Sequence, residues 1–210
     1  RAQEIMLIID GYMRRGAIKQ APVFIEGMIS EATAITTAYP EYLAREVRDL
    51  ILHEGINPFE SPYFTKIESP EARSDAIKGG PCIIMATSGM LEGGPVIEYF
   101  KRLAPDERNS LVFVSYQIEG TLGRRVMHGL SEVPMMNNEG KIELIPVKMK
   151  VESVDGFSGH SDRNQILSYV RRVMPKPERV LVCHGEKAKT LSLASGLYKM
   201  FRVESMVPQV

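Results

Sequence analysis

Short apolar segments that resemble β-strands alternate along this chain with segments of helical periodicity. The clearest strand-like runs are Cys82 to Ala86, Leu111 to Tyr116 and Val180 to Cys183, and a helical pattern follows each of them. Strands joined through helices usually lie parallel in a sheet that the helices cover. We therefore predict an α/β fold with a largely parallel sheet.

Several boundaries follow from local signals. A first helix is predicted from Arg1 to Arg15, ending near Gly16, and another from Glu41 to Glu54 with one apolar face. Ser69 followed by Pro70 is typical of a helix start. The preceding residues 56–69 are rich in Pro, Ser and Asn, so we expect a long loop there, and residues 141–151 are expected to form one long β-rich segment.

The composition is that of an ordinary globular protein of 210 residues, with 44% hydrophobic and 25% charged residues. Lys+Arg and Asp+Glu both number 26, so any nucleic-acid contact must come from a local basic patch. Both cysteines, Cys82 and Cys183, lie in apolar runs and are expected to be buried thiols of a cytoplasmic protein. Arg1 already stands inside a helical pattern, so we expect a piece of a longer protein.

Two loops contain a histidine just before a helical segment. The first is Gly156-Phe-Ser-Gly-His160-Ser-Asp162, and the second is Cys183-His184-Gly185-Glu186. An imidazole beside a helix start can bind a metal or meet a phosphate. The alternative is structural, since Ser161 or Asp162 can cap the following helix. Glu186 can either orient His184 or simply favour a helix N-terminus.

Two glycine-bearing turns also lie between a strand and a helix. One is Thr87-Ser-Gly-Met-Leu-Glu-Gly-Gly94, which could cradle a phosphate, and the other is Gly120-Thr-Leu-Gly-Arg-Arg125, whose arginines could bind one. The first of these turns has neither of the common nucleotide-binding patterns, GxxxxGK[ST] or GxGxxG. Plain turns with solvated arginines are the alternative interpretation.

Together these phrases resemble one family. RAQE at the start, IIMATSGMLEGGP, VSYQIEGTLGRR, GFSGHSD and VCHGE are similar to β-CASP nucleases of the metallo-β-lactamase superfamily, especially archaeal relatives of the cleavage and polyadenylation specificity factor nucleases. The resemblance implies most of an open, mostly parallel-sheet β-CASP domain over residues 1–155. It implies the C-terminal return segment of a metallo-β-lactamase αββα domain over residues 156–210.

The resemblance also implies roles for individual residues. His184 corresponds to a zinc ligand, and His160 to a catalytic group beside the scissile phosphate, as proton donor or phosphate contact. Asp162 and Glu186 are expected to support these histidines as neighbouring hydrogen-bond partners, without touching the metal or the substrate. The residues expected to contact RNA or its phosphates are Ser88, Gly89, Ser158, Gly159 and Arg124.

The implied activity is that of a zinc-dependent ribonuclease with two zinc ions, acting in mRNA 3′-end processing or decay. RNA is the implied partner and a homodimer is possible, with no membrane and no organic cofactor. The family's HxHxDH ligands are absent from this chain, so by itself we expect it to be inactive. A non-catalytic RNA-binding or scaffold subunit is the main alternative, and a small-molecule lactamase-like hydrolase is a third.

Overall fold

A computed structural model of the chain describes residues 1–137, 139–157 and 159–208. The chain divides into two compact units, Arg1–Ser158 and Gly159–Val210. Within the described residues, no helix has both the length and the apolar character needed to cross a membrane.

The first unit alternates helices and strands. Its helices are α1 (Ala2–Arg14), α2 (Ile29–Ala38), α3 (Arg45–His53), α4 (Pro70–Lys78), α5 (Val96–Leu103) and α6 (Leu122–Met127). Its strands are β1 (Val23–Glu26), β2 (Phe64–Lys66), β3 (Ile83–Ala86), β4 (Ser110–Phe113), β5 (Glu132–Met136), β6 (Ile142–Pro146) and β7 (Lys150–Ser153). Two short 3-10 helices lie at Pro40–Tyr42 and Pro58–Glu60.

The second unit contains two helices and two strands in its described part. They are α7 (Arg163–Arg172), β8 (Arg179–Leu181), α8 (Lys187–Phe201) and β9 (Glu204–Met206). A core of Leu167, Val182, Ala194 and Leu197 holds them together.

Strand pairing confirms the predicted α/β class. Strands β2, β1 and β3 form a parallel sheet in that order, and the pairs β4–β7 and β8–β9 are also parallel. The exception is β5–β6, an antiparallel hairpin that the sequence did not predict. Its turn is closed by Asn137, whose side chain accepts hydrogen bonds from the N–H groups of Glu139 and Lys141.

Three predicted segments were wrong in detail. The expected helix from Glu41 to Glu54 is interrupted because Leu43 is extended, with ψ at 165°. The expected loop over residues 56–69 contains the short strand β2. The single β-rich segment over residues 141–151 is two strands, β6 and β7, which belong to different sheets.

The first unit has two apolar cores. One lies among α5, α6 and strands β4 to β6 and includes Phe100, Phe113, Val126 and Val133. The other lies between α1, α2 and β1 and includes Met6 and Ile25.

The predicted burial of the two cysteines is only partly confirmed. Cys82 is half-buried, and burial raises the pKa of its thiol. Cys183 is exposed, contrary to expectation. Because β8 ends at Leu181 and Val182 takes the buried position, the side chain of Cys183 turns to solvent.

Candidate nucleic-acid-binding site

The loop that carries Ser88 and Gly89 is closed by its own hydrogen bonds. Ser88 Oγ accepts from the N–H of Glu92 at 3.2 Å, and Ser88 N–H donates to Gly93 C=O at 3.1 Å. The Thr87–Ser88 peptide bond is cis. Leu91, at φ 56° and 2% exposed, anchors the loop in the core. Ser88 is half-buried and Gly89 is exposed, so the tip of the loop faces solvent.

Gln117 fixes this loop from the neighbouring turn. Its side chain is 1% exposed, and Nε2 donates to Gly89 C=O at 2.8 Å and to Ser115 C=O at 2.9 Å. Its Oε1 has no hydrogen-bond partner among the described residues. A Cβ built on Gly123 would stand 2.0 Å from that oxygen, so Oε1 packs directly on the Gly123 backbone.

The N-terminus of α6 is joined to the same loop. Gly123 N–H donates to Met90 C=O at 2.9 Å, and the Glu92 carboxylate accepts from Leu122 N–H. We call the contacts among Gly89, Met90, Glu92, Gln117, Leu122 and Gly123 the Gln117 junction.

Arg124 is the next residue of α6 after Gly123, the last residue of the Gln117 junction. Its N–H donates to the Thr121 side chain, which caps the helix, and its guanidinium carbon lies 6.0 Å from the centroid of the Tyr116 ring. The structure therefore connects the two glycine-bearing turns, so that Arg124 comes from an element fixed to the Ser88–Gly89 loop. Sequence reasoning selected both turns but missed Gln117 and Glu92. The only available signal was their presence within the two quoted phrases.

The first histidine loop lies in the second unit. His160 and Gly159 are exposed, while Ser158 lies outside the described residues. Asp162 caps α7 in a complete capping box: its carboxylate accepts from Gln165 N–H at 2.8 Å, and the Gln165 side chain accepts from Asp162 N–H at 2.8 Å. The capping role of Asp162 is thus observed. Its expected role as a hydrogen-bond partner that supports a histidine stays a prediction.

His184 occupies the turn between β8 and α8, is exposed and has a φ of 60°. This left-handed region is uncommon for residues other than glycine, although histidine enters it more readily than most. Glu186 stands at the N-cap position of α8, and its carboxylate pairs with Lys189 at 3.1 Å. An orienting role of Glu186 toward His184 therefore also stays a prediction.

Zinc needs three or more protein ligands in a catalytic site. In residues 1–137, 139–157 and 159–208, no three His, Cys, Asp or Glu side chains form a group that could hold a metal ion. These residues therefore do not fit a zinc site by themselves.

The charge is unevenly distributed in spite of the zero net charge. In the second unit, Lys and Arg outnumber Asp and Glu, and the exposed basic residues include Arg171, Arg172, Lys176, Lys187 and Lys199. A local excess of this kind attracts a polyanion.

Comparison with known proteins agrees with these features. Residues 2–126 match the Beta-Casp domain, and residues 144–208 match the Zn-dependent metallo-hydrolase RNA specificity domain. Proteins called transcription termination factor FttA are similar to the chain: that of Cenarchaeum symbiosum is 56% identical over 100% of this chain and 33% of its own length, and that of Thermococcus kodakarensis is 53% identical over 99% and 32%.

The Methanothermobacter thermautotrophicus protein of the same name is 50% identical over 99% of this chain and 33% of its own length. The chain thus spans about one third of the length of these curated relatives. The domain matches and these identities show that the chain belongs to the β-CASP family of metallo-β-lactamase-fold nucleases, among the archaeal relatives of the cleavage and polyadenylation specificity factor.

Proposed function

We propose that this chain is the RNA-holding part of a cytoplasmic zinc-dependent ribonuclease that cleaves transcripts during termination or 3′-end processing. In this proposal residues 1–155 are most of the β-CASP domain, and residues 156–210 are the C-terminal part of the metallo-β-lactamase domain. The observation that carries the proposal is the Gln117 junction, which fixes the Ser88–Gly89 loop to the helix of Arg124.

A phosphate oxygen accepts hydrogen bonds from hydroxyl, backbone N–H and guanidinium groups. Ser88, Gly89 and Arg124 supply these three kinds of donor. Because Gln117 is buried and Glu92 is hydrogen-bonded, the loop is ordered before RNA arrives. Binding then costs less conformational entropy than it would for a flexible loop.

The histidines take different roles in this proposal. His184 supplies one imidazole to a zinc site whose remaining ligands come from outside the described residues. His160 donates a proton to the leaving oxygen, or a hydrogen bond to the scissile phosphate, as general acids of this type do. Both side chains are exposed and therefore accessible to a substrate. Ser158 and Gly159 are proposed to contact the RNA beside His160.

A non-catalytic RNA-binding subunit is the second candidate. The relatives' printed name favours it, because it describes termination and does not mention cleavage. The Ser88–Gly89 loop and Arg124 would bind RNA in the same way under this alternative. The two candidates differ only in what the histidines do.

Fluorescence anisotropy with a labelled single-stranded RNA tests RNA binding by the chain itself. We expect Arg124→Ala to weaken affinity about tenfold and to reduce the salt dependence by about one phosphate contact. The matched control is Arg108→Ala, because Arg108 is an exposed arginine of the same unit that pairs with Asp106 at 2.6 Å. Equal effects of the two variants would contradict the proposed phosphate contact.

A further inference from the structure

Tyr116 presents an aromatic ring beside the candidate phosphate contact. It lies in the loop after β4 and is 50% exposed, and Ile118, two residues later, is 48% exposed. The guanidinium carbon of Arg124 lies 6.0 Å from the centroid of the Tyr116 ring, at the outer limit of a cation–π contact. A contact of this length holds the guanidinium only weakly, so the arginine stays available to a phosphate.

Both chain neighbours of Tyr116 are anchored. Gln117 Nε2 donates to Ser115 C=O at 2.9 Å and to Ser115 Oγ at 3.3 Å, and also to Gly89 C=O at 2.8 Å. A Cβ built on Gly89 would lie 3.1 Å from Ser115 Oγ, so the Ser88–Gly89 loop packs closely on Ser115. The backbone that carries the Tyr116 ring is therefore fixed to the loop that offers hydroxyl and N–H donors.

The segment from Tyr116 to Arg124 is also closed by its own hydrogen bonds. Ile118 C=O accepts from Thr121 N–H at 3.2 Å and from Thr121 Oγ1 at 2.7 Å. Thr121 Oγ1 in turn accepts from Arg124 N–H and thereby caps α6. The ring and the guanidinium are thus held near each other before any ligand arrives, so binding orders few additional groups and costs little conformational entropy.

An exposed tyrosine is by itself ordinary on a protein surface, so the location of this ring decides its meaning. Tyr12 makes a similar pair with Arg15, whose guanidinium carbon lies 4.9 Å from the ring centroid, and Tyr12 is 46% exposed. That pair lies at the C-terminal end of α1, where a cation complements the helix dipole. Tyr116 instead follows the carboxyl end of the parallel strand β4, the end of such strands at which ligands bind.

We propose that Tyr116 is a stacking platform for one unpaired base of an RNA whose phosphate contacts Arg124 and the Ser88–Gly89 loop. The inference rests on the proposed function, because it assigns the base of the nucleotide whose phosphate that function places here. A phosphate and its base are separated by one sugar, so a nucleotide that binds the arginine has its base within reach of the neighbouring ring. Every unpaired base has an accessible π face, so the platform selects single-stranded over duplex RNA and does not read base identity.

Fluorescence anisotropy with a labelled oligouridine of about 12 nucleotides tests the platform. Tyr116→Ala is expected to weaken affinity about 5- to 150-fold, the usual cost of one lost base–aromatic stack. Tyr116→Phe keeps the ring and is expected to stay within about threefold of the wild type. The slope of log affinity against log salt should not change in Tyr116→Ala, whereas Arg124→Ala should make it shallower by about 0.7. Tyr12→Ala is the matched control and is expected to bind like the wild type.

A strand of the same length whose riboses lack bases shows whether Tyr116 meets a base. At low salt, where phosphate contacts dominate, Tyr116→Ala should not change affinity for this abasic strand, while Arg124→Ala should weaken it. The platform would be overturned by a Tyr116→Ala variant that binds oligouridine like the wild type or loses as much affinity for the abasic strand. It would also be overturned by a Tyr116→Phe variant as weak as Tyr116→Ala. If Arg124→Ala kept its effect in those cases, the phosphate contact of the proposed function would stand, and if it had none, both would fail.

Discussion

Gly123→Ala tests the Gln117 junction most severely. A Cβ at this position would stand 2.0 Å from Gln117 Oε1 and 2.8 Å from Met90 C=O, and the second of these is backbone that cannot rotate away. Either α6 or the Ser88–Gly89 loop must therefore move. The movement would also lengthen the hydrogen bond from Gly123 N–H to Met90 C=O.

The expected change in the free energy of unfolding combines two destabilising contributions and one stabilising contribution. Overpacking costs about 1–3 kcal/mol, and a lost hydrogen bond costs about 0.5–1.5 kcal/mol. Alanine gains about 0.5–1 kcal/mol over glycine inside a helix. We therefore expect a net destabilisation of about 1–3 kcal/mol, which lowers the melting temperature by about 2–4 °C per kcal/mol in a chain of this size.

Urea denaturation of the wild-type and variant chains measures this change, and anisotropy measures the accompanying loss of RNA affinity. Gly11→Ala in α1 is the control, because its new Cβ would meet only Arg15 Nη1 at 3.7 Å. That variant is expected to stabilise the chain by about 0.5–1 kcal/mol. If Gly123→Ala were as stable as the wild type and bound RNA equally well, the reasoning about the Gln117 junction would be refuted.

Three further predictions concern charge and metal. Burial alone would raise the pKa of Glu26, but hydrogen bonds from Arg73 and Tyr99 outweigh it and lower the pKa. The stabilisation from Glu26 is then present above about pH 4–5 and is lost as the pH falls through its lowered pKa. Glu26→Gln should cost about 1–3 kcal/mol at pH 7 and less in acid, whereas the exposed Glu31→Gln should show no such trend in urea titrations at several pH values. Asp162→Asn should keep the helix cap and stay within about 0.5 kcal/mol of the wild type, while Asp162→Ala should lose about 0.5–2 kcal/mol in the same assay; equal losses would mean that the cap is unimportant. In calorimetry, the chain should bind zinc weakly or not at all at neutral pH, and tight stoichiometric binding would show that its own residues complete a site.

Local sequence signals predicted the elements that depend on local chemistry. Helix α1 lies within one residue of each of its predicted ends, Arg1 and Arg15, and Ser69 caps α4 through the N–H of Ala72, as expected. Strand β2 was missed because it has three residues and takes its conformation from its partner β1. The hairpin was missed because Pro134 argues against a strand unless its N–H position faces the outer edge.

In the candidate site too, local signals were predicted from the sequence and tertiary contacts were missed. The sequence indicated the Ser88–Gly89 turn and Arg124 as separate features, since each has a local signature. Their connection depends on the buried side chain of Gln117 and on hydrogen bonds from α6 to Met90 and Glu92. These are tertiary contacts that no local spacing encodes. Roles that depend on residues beyond the described chain, such as zinc binding by His184, stay predictions.

Zinc content measured beside single-turnover RNA cleavage, in the intact protein, tests the central claim most directly. We expect His184→Ala to lose zinc and activity, because it removes a ligand. We expect His160→Ala to retain zinc but to cleave about 10²–10⁴-fold more slowly, the usual scale for a lost general acid. Equal zinc loss in both variants would make His160 a ligand instead. A wild-type protein that binds RNA but holds no zinc and cleaves nothing would contradict the ribonuclease assignment and leave the non-catalytic RNA-binding subunit.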